Sequence, residues 1–321
     1  MAVSPIRWGI LGAAKIAREF VCPALHKSSR GEVAAVASRD AARAAALAAR
    51  YDARSFGSYD ALLADPDIDA VYIPLHNAAH VEWTLKSLEA GKHVLCEKPI
   101  ALRAEEIDSI IAARDRTGLF AAEGFMVTHH PQWRCVRELL AEGAIGRLRH
   151  VQGAFSFFND DAENVRNQAD LAGGALRDIG VYPCIVTRFV TGAEPESVTA
   201  SVDWENGIDA TARVAAVFPE FHMDFYISMR MAPRQLMTFH GETGWLSVHA
   251  PFNAEVYGPV IVELRSADGT TRRERFDRAE QYHLQADAVH AAILDGATYP
   301  CPLEFSRGNQ RLIDMIYDAA G

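Results

Sequence analysis

Short apolar runs alternate with segments of helical periodicity over about the first 120 residues of the chain. The runs that predict strands are RWGIL, EVAAVAS, DAVYIPL, HVLCEKP and LFAAEGF. Between them, helix-period segments predict one helix from about Lys15, one capped by Asp40, one ended by Gly91 and one over about 105–116. This alternation is typical of strand–helix units on a parallel sheet, so we predict an α/β fold for this part.

The pattern changes after Met126. PQWRCVRELLAEGAIG predicts one helix, and most of the remaining chain is strand-like. FHMDFYISMR has apolar residues at every second position from Phe221 to Met229, and VIVELRSADGTTRRERF predicts a hairpin turning at Asp268 and Gly269. We therefore predict an α+β region with a large, mostly antiparallel open sheet that is covered on one face.

Composition narrows the class of protein. The 321 residues are 49% hydrophobic, enough for a large core and about two domains, and 32 basic against 42 acidic residues leave a net charge of -10. No basic run is present, which argues against nucleic acid or an anionic membrane as a partner. Five scattered cysteines without a C-x-x-C pair, and no signal-like or membrane-spanning segment, lead us to expect a cytoplasmic protein.

The segment ILGAAKIA follows the first predicted strand. Gly12, Ala14 and Ala17 match the G-x-G-x-x-G/A spacing, with alanine at the second position. Such a turn brings backbone amides and a helix N-terminus close to a pyrophosphate, although the same residues also fit a plain strand-to-helix turn. Because this segment follows the first strand of the strand–helix series, we favour its interpretation as a phosphate-binding loop. The cofactor-binding candidates here are Gly12, Ala13, Ala14, Lys15 and Ile16.

The end of the second strand indicates which cofactor is preferred. Glu32 has the spacing of an acid that binds the ribose, but it precedes the strand, whereas ligands lie beyond the carboxyl ends of strands. Ser38 and Arg39 stand at the correct end and suit a 2′-phosphate, although Arg39 also fits a solvated surface residue beside a helix cap. We predict NADP as the preferred cofactor, with NAD as the alternative.

HVLCEKPIAL ends an apolar strand with an acid and a base. Pro99 stops the strand and biases Lys98 towards an extended conformation. Because the carboxyl end of this strand opens into the same crevice as the phosphate loop, Glu97 and Lys98 are predicted to face the nicotinamide end of a bound dinucleotide. The alternative for Lys98 is a simple surface charge.

AGKHVLCEKP, together with ILGAAKIA and GGALRDIGVYP, resembles the Gfo/Idh/MocA family of oxidoreductases over nearly the whole chain. The branch it resembles most contains glucose-fructose oxidoreductase, dimeric dihydrodiol dehydrogenase and NADP-dependent sugar 1-dehydrogenases. The resemblance implies a Rossmann dinucleotide-binding domain, which we place at 1–124. It also implies a substrate-binding and oligomerisation domain at 125–321, whose exposed sheet face suggests a homodimer or homotetramer.

The segment RDIGVYP carries the second group of candidates. Asp178 and Tyr182 are four residues apart and would lie together if a helix starts near Ile179 or Gly180, which leaves Pro183 in the first turn. A tyrosine is a poor base at neutral pH unless an ammonium such as that of Lys98 stabilises the tyrosinate. The alternatives are a helix cap for Asp178 and a buried phenol for Tyr182. The resemblance implies the same catalytic set: Lys98, Tyr182 and Asp178.

Further candidates follow from the resemblance. The segment YIPLHNAAH is similar to one that contacts the cofactor, except that His76 replaces the usual proline, and His80 alternatively packs the helix. These additional cofactor-binding candidates are Leu75, His76, Asn77, His80 and Glu97. The predicted substrate-binding residues are Lys98, Phe158, Asn159, Arg166, Asp178 and Tyr182, with a surface ion pair as the alternative for Arg166. No histidine group has a convincing chelating pattern, so we predict no metal.

The resulting expectation is an NADP-dependent oxidoreductase that transfers a hydride between nicotinamide and a sugar or cyclic polyol. It would be an aldose 1-dehydrogenase or a keto-sugar reductase. Oxidation of trans-dihydrodiols is an alternative within the class, because aromatic residues line pockets for sugars and for aromatic rings. A dinucleotide sensor without activity is an alternative from another class. The partner expected in either catalytic case is a small molecule, with no nucleic acid and no membrane.

Overall fold

The computed structural model describes residues 4–254 and 256–321. The helices are α1 Cys22–Lys27, α2 Ala41–Ala48, α3 Tyr59–Leu63, α4 His80–Glu89, α5 Ala104–Thr117, α6 Pro131–Ala141, α7 Val181–Thr191, α8 Gln281–Asp295 and α9 Leu303–Ala320. The strands are β1 Ile6–Leu11, β2 Gly31–Ala37, β3 Arg54–Phe56, β4 Ala70–Ile73, β5 His93–Cys96, β6 Ala121–Glu123, β7 Leu148–Phe158, β8 Ser197–Glu205, β9 Ile208–Val217, β10 His222–Ser228, β11 Arg230–Gly241, β12 Gly244–Val248, β13 Ile261–Ser266 and β14 Thr271–Arg275.

The chain forms two compact units, and each contains two separate segments. The first unit comprises Met1–His129 and Gln281–Arg307, and the second comprises His130–Glu280 and Gly308–Gly321. The predicted functional division at 124/125 remains a prediction. The compact units differ from that division because the segment with α8 packs with the first unit.

The first unit is built on a parallel sheet of six strands in the order β3-β2-β1-β4-β5-β6. Its strands are near-continuous apolar runs because helices cover both faces of such a sheet. The strand order reverses between β1 and β4, which is where open sheets of this kind bind ligands. All carboxyl ends of these strands lie along one edge.

Helix α8 is tied to β1 by a buried polar contact. Trp8 Nε1 donates to His290 Nε2 at 2.9 Å, and His290 Nδ1 lies 2.8 Å from Ser28 Oγ. Because the indole can only donate, His290 must carry its proton on Nδ1 and donate it to Ser28. Burial lowers the pKa of His290 to about 4, which agrees with a neutral ring.

The second unit is built on a sheet of eight strands in the order β14-β13-β12-β11-β7-β10-β9-β8. Only β7 and β10 pair in parallel among its neighbouring strands in the described chain. The apolar residues from Phe221 to Met229 are all buried on one face. Helix α7 packs against this face at Gly153, where an added Cβ would lie 3.4 Å from Pro183 Cβ.

The predicted fold class, a Rossmann sheet followed by a large and mostly antiparallel sheet, is confirmed. The sequence analysis did not identify β3, α3, α8 or α9. Strand β3 has only three residues, two of them exposed, so it has no apolar run to mark it. No helix in the described residues is long and apolar enough to cross a membrane.

Candidate active site

The loop after β1 has the backbone conformation that its first glycine allows. Gly12 has φ +124°, and a Cβ there would lie 3.1 Å from Leu75 Cδ2. The following helical segment starts at Lys15 and passes through a wide turn over Ala17–Val21 before α1. Ala13 is buried, whereas the Lys15 side chain is exposed and lies 3.7 Å from Glu19 Oε2. The loop is therefore narrow at Gly12 and open to solvent beyond it.

The carboxyl end of β2 carries a hydroxyl and two guanidinium groups. Ser38 is buried, and its Oγ accepts from Asp40 N at 3.2 Å, while Arg39 is exposed. Asp40 caps α2 as predicted, because its carboxylate accepts from the amides of Ala42 and Arg43. Arg43 donates from Nη2 to the carbonyl of Ala13 at 3.0 Å. The sequence analysis missed Arg43, although it is one helical turn beyond Arg39.

The segment after β4 lies beside these groups. Burial lowers the pKa of His76, and the nearby positive charge of Arg39 lowers this pKa further. Asn77 begins a short 3-10 turn that leads into α4. His80 is fully buried, with Nδ1 2.7 Å from the carbonyl oxygen of Pro99 and Nε2 3.0 Å from that of Leu75. This placement favours a positioning role for His80 over direct contact with a cofactor.

Glu97 and Lys98 follow β5 directly. The amide of Glu97 donates to the carbonyl of Ile73 at 3.0 Å, which extends the pairing of β5 with β4 by one residue. Tyr72 is buried, and its hydroxyl donates to Glu97 Oε1 at 2.6 Å. Glu97 and Lys98 are both partly exposed at this edge of the sheet. The predicted position of Lys98 at a strand end is therefore what the structure shows.

A buried carboxyl group at the end of β6 was not anticipated. Glu123 is 3% exposed, and its Oε1 accepts from the amide of Ile100 at 2.8 Å. Burial raises the pKa of Glu123 to about 7, and the nearby Lys98 charge opposes this shift. The local signal was a carboxylate inside the apolar run LFAAEGF, which we read only as a strand.

In the second unit, Asp178 and Tyr182 lie on one continuous helical segment. A wide turn over Leu176–Gly180 leads into α7, and the helical segment begins at Ala175, earlier than the predicted start near Ile179. The wide turn explains the difference. Pro183 has no amide hydrogen and would collide with the carbonyl four residues before it in a regular helix, and widening the turn relieves that collision.

The side chains of this segment have different surroundings. Asp178 is held by Arg166, whose Nε donates to Asp178 Oδ2 at 2.6 Å. Tyr182 is only 6% exposed, and its ring packs against Phe155 and Phe252 at centroid distances of 5.7 and 5.6 Å, while those two phenyl rings stack on each other at 5.0 Å. Arg166 and Asp178, both predicted substrate-binding residues, are thus brought together as an ion pair.

A second buried carboxylate supports the start of the wide turn. Asp209 accepts from the amide of Leu176 at 2.5 Å and from the hydroxyl of Tyr317 at 2.8 Å. Gly174 has φ +117°, and a Cβ there would lie 2.0 Å from Asp209 Oδ1. No local feature of the chain marks this contact, because Asp209 is 33 residues from Leu176.

Phe158 and Asn159 end β7 and begin a loop. The Phe158 side chain is exposed, with 61% of the residue accessible. The side-chain oxygen of Asn159 accepts from Asn167 Nδ2 at 3.0 Å and from the amide of Asp161 at 3.2 Å. Asn159 therefore organises the loop that carries Arg166, and Phe158 presents an apolar surface beside it.

The remaining polar clusters do not form a metal centre. No group of three or more histidine, cysteine, aspartate or glutamate side chains in the described chain could hold a metal ion. His129 and His130 are both largely buried, and burial lowers the pKa of each to about 4. All five cysteines are buried, and no disulfide joins them.

Comparison with known proteins finds a matching family and several similar proteins. The profile of the Gfo/Idh/MocA oxidoreductase family, with an NAD-binding Rossmann fold, matches residues 6–125, and that of the Gfo/Idh/MocA C-terminal domain matches 133–247. An uncharacterized oxidoreductase of Rhizobium meliloti is 42% identical over 98% of this chain and 97% of its own. A D-xylose 1-dehydrogenase (NADP(+)) of Haloferax volcanii is 34% identical over 98% of this chain and 97% of its own.

A solved structure is also very similar. It is a 3-ketoreductase from Actinomadura kijaniata in complex with NADP and TDP-benzene, with a TM-score of 0.93 and 32% identity over 98% of each chain.

Proposed function

The chain belongs to the Gfo/Idh/MocA family of oxidoreductases, and from this premise we propose that it uses NADP to transfer a hydride to or from a sugar or cyclic polyol. The family and the oxidoreductase class predicted from the sequence are confirmed. The preference for NADP is supported by the named relatives, one an NADP-dependent xylose dehydrogenase and one a ketoreductase with bound NADP.

One observation carries the proposal. Gly12, Ser38, Asn77 and Lys98 follow four neighbouring strands of one parallel sheet, at its carboxyl edge. A dinucleotide bound along this edge would meet the 2′-phosphate groups after β2, then the phosphate loop after β1, then Asn77 after β4 and finally Lys98 after β5. This order agrees with a catalytic lysine at the nicotinamide end.

The residues present fit NADP. The conformation of Gly12 keeps the loop free of a side chain where a pyrophosphate would approach. Ser38, Arg39 and Arg43 would hold the 2′-phosphate, since a hydroxyl and guanidinium groups suit a phosphate and no carboxylate is placed at the end of β2 itself. The bound nicotinamide supplies or accepts the hydride.

The chain supplies proton transfer and orientation. Lys98 would stabilise negative charge on the reacting oxygen, and Tyr182 would give or take the proton. Asp178, already oriented by Arg166, would accept hydrogen bonds from substrate hydroxyls. The packing of the Tyr182 ring against Phe155 and Phe252 limits its movement and so the directions that its hydroxyl can take.

A panel of substrates tests the proposal. Aldoses, keto sugars, inositols and trans-dihydrodiols should be incubated with oxidised and reduced NADP and NAD, and the absorbance of reduced nicotinamide followed. We expect turnover with a sugar or polyol and a preference for NADP. Turnover only with dihydrodiols would favour the aromatic alternative, and tight cofactor binding without any turnover would favour a sensor.

The expected homodimer or homotetramer and the cytoplasmic location remain predictions. The exposed face of the eight-stranded sheet is the surface on which we propose the subunits associate, and light scattering of the purified protein tests this.

A further inference from the structure

Two buried side chains hold a single peptide group immediately after Lys98. His80 Nδ1 lies 2.7 Å from the carbonyl oxygen of Pro99, and Glu123 Oε1 accepts from the amide of Ile100 at 2.8 Å. The carbonyl of Pro99 and the amide of Ile100 belong to the same peptide bond. One planar group is thus held at both of its polar edges.

The two side chains come from different elements of the first unit. His80 is the first residue of α4, and Glu123 is the last residue of β6. They are 0% and 3% exposed, so water does not compete for either contact. A peptide plane held from a helix and from a strand cannot rotate without breaking a buried hydrogen bond, which is unfavourable.

The protonation of His80 follows from its surroundings. Only a doubly protonated ring could donate a hydrogen bond to both carbonyl oxygens that His80 contacts. Burial disfavours that charged form and lowers the pKa of His80 to about 4. The ring is therefore neutral at neutral pH. We place its proton on Nδ1, because the contact with Pro99 is the shorter of the two.

Other titratable groups lie near this pair. Lys98 and His76 act on His80, while Glu97 and Lys98 act on Glu123. Lys98 acts on both. Burying two titratable groups beside it is costly, although both groups satisfy backbone polar atoms that an apolar pair would leave without a partner. The pair is therefore better explained by what it does to the Lys98 segment than by packing alone.

We propose that His80 and Glu123 are positioning residues that fix the peptide plane between Pro99 and Ile100 and so set the direction in which Lys98 presents its ammonium group. The inference rests on the proposed role of Lys98 in the reaction. It adds two residues that touch neither substrate nor cofactor and act only through the lysine.

The test compares an apolar and a polar replacement at each position. His80→Leu and Glu123→Met remove the contact, while His80→Asn keeps a donor near Nδ1 and Glu123→Gln keeps an acceptor for Ile100. Each variant is made alone and combined with Lys98→Met, and kcat and KM are measured with reduced NADP and the best substrate. Ser87→Ala is the control, because Ser87 is a buried polar residue of α4 whose hydroxyl donates to the carbonyl of Trp83 in the same helix.

The apolar variants should lower kcat by about tenfold to a hundredfold, as expected for a misplaced catalytic group, with cofactor affinity little changed. The polar variants should recover most of this loss, and Ser87→Ala should show none. In the Lys98→Met background, neither apolar variant should lower kcat further, because their effect passes through the lysine. Fluorescence of bound NADPH and thermal unfolding establish that each variant is folded; where an apolar variant does not fold, the polar one is compared with wild type in both backgrounds.

Equal losses of kcat with and without Lys98 would overturn the inference and indicate a general structural role. Unchanged kcat in both apolar variants would also overturn it. Full activity of Lys98→Met alone would instead overturn the proposed role of the lysine, and with it this inference, so the two failures are distinguishable.

Discussion

Replacing Asp209 by asparagine should remove a pH-dependent loss of stability that the buried carboxylate causes. Asp209 is 1% exposed and accepts hydrogen bonds from Leu176 and Tyr317. Burial outweighs these contacts and raises the pKa of Asp209 from 3.8 to about 6. The folded protein therefore binds this proton more tightly than the unfolded chain does.

The sign and size of the effect follow from that shift. Below about pH 4 the carboxyl is protonated in both states, and the free energy of unfolding is highest with respect to this group. As the pH rises through the folded pKa of about 6, this stability is lost. A shift of about two units corresponds to about 3 kcal/mol at 1.36 kcal/mol per unit.

Urea denaturation followed by tryptophan fluorescence at several pH values between about 4 and 7 measures this difference. As the pH rises across that range, the free energy of unfolding of Asp209→Asn should increase by about 3 kcal/mol relative to that of wild type. Asp268→Asn is a matched control, because a hydrogen bond from the amide of Thr270 lowers the pKa of that exposed carboxyl below 3.8, so its difference from wild type should stay constant over this range. A constant difference between Asp209→Asn and wild type at all pH values would refute the reasoning.

Three further changes test other parts of the structure. Arg39→Ala should lower kcat/KM for NADP by about tenfold or more while leaving that for NAD nearly unchanged, as measured by steady-state kinetics; equal losses with both cofactors would contradict the assignment. Gly12→Val should weaken NADPH binding in a fluorescence titration, because a side chain at φ +124° is strained and would meet Leu75; unchanged affinity would argue against the phosphate loop. Trp8→Phe should lower the free energy of unfolding by about 1–3 kcal/mol in urea denaturation, because it leaves His290 Nε2 buried without a donor; no change would mean that water replaces the indole.

The elements that sequence patterns predicted are those whose signal is local. The strand before Lys98 is a run of apolar residues ended by Pro99. The cap of α2 is the side chain of Asp40, which accepts a hydrogen bond from an amide only two residues away. The strict alternation of β10 likewise marks its buried face without reference to the rest of the chain. Such features are decided by neighbouring residues, so they are readable from the sequence.

The contacts that the sequence did not predict connect distant residues. Glu123 and Ile100 are 23 positions apart, and Asp209 and Leu176 are 33 apart. A carboxylate inside an apolar run has no local feature that says which buried amide it accepts from. Arg166 is a different case, because an ion pair was one of its predicted alternatives and only its partner, Asp178, was unknown.

We propose that the phenol of Tyr182 transfers a proton in the same step as hydride transfer. The most direct measurement is the single-turnover rate of NADPH oxidation by Tyr182→Phe, with Tyr226→Phe as a control that loses an equivalent hydroxyl on the other face of the sheet, where it accepts from Arg234. Phenylalanine keeps the ring packing against Phe155 and Phe252, so the fold and NADPH affinity should be retained. We predict a fall of at least about 10²-fold for Tyr182→Phe and none for the control. A wild-type rate in Tyr182→Phe would contradict the account.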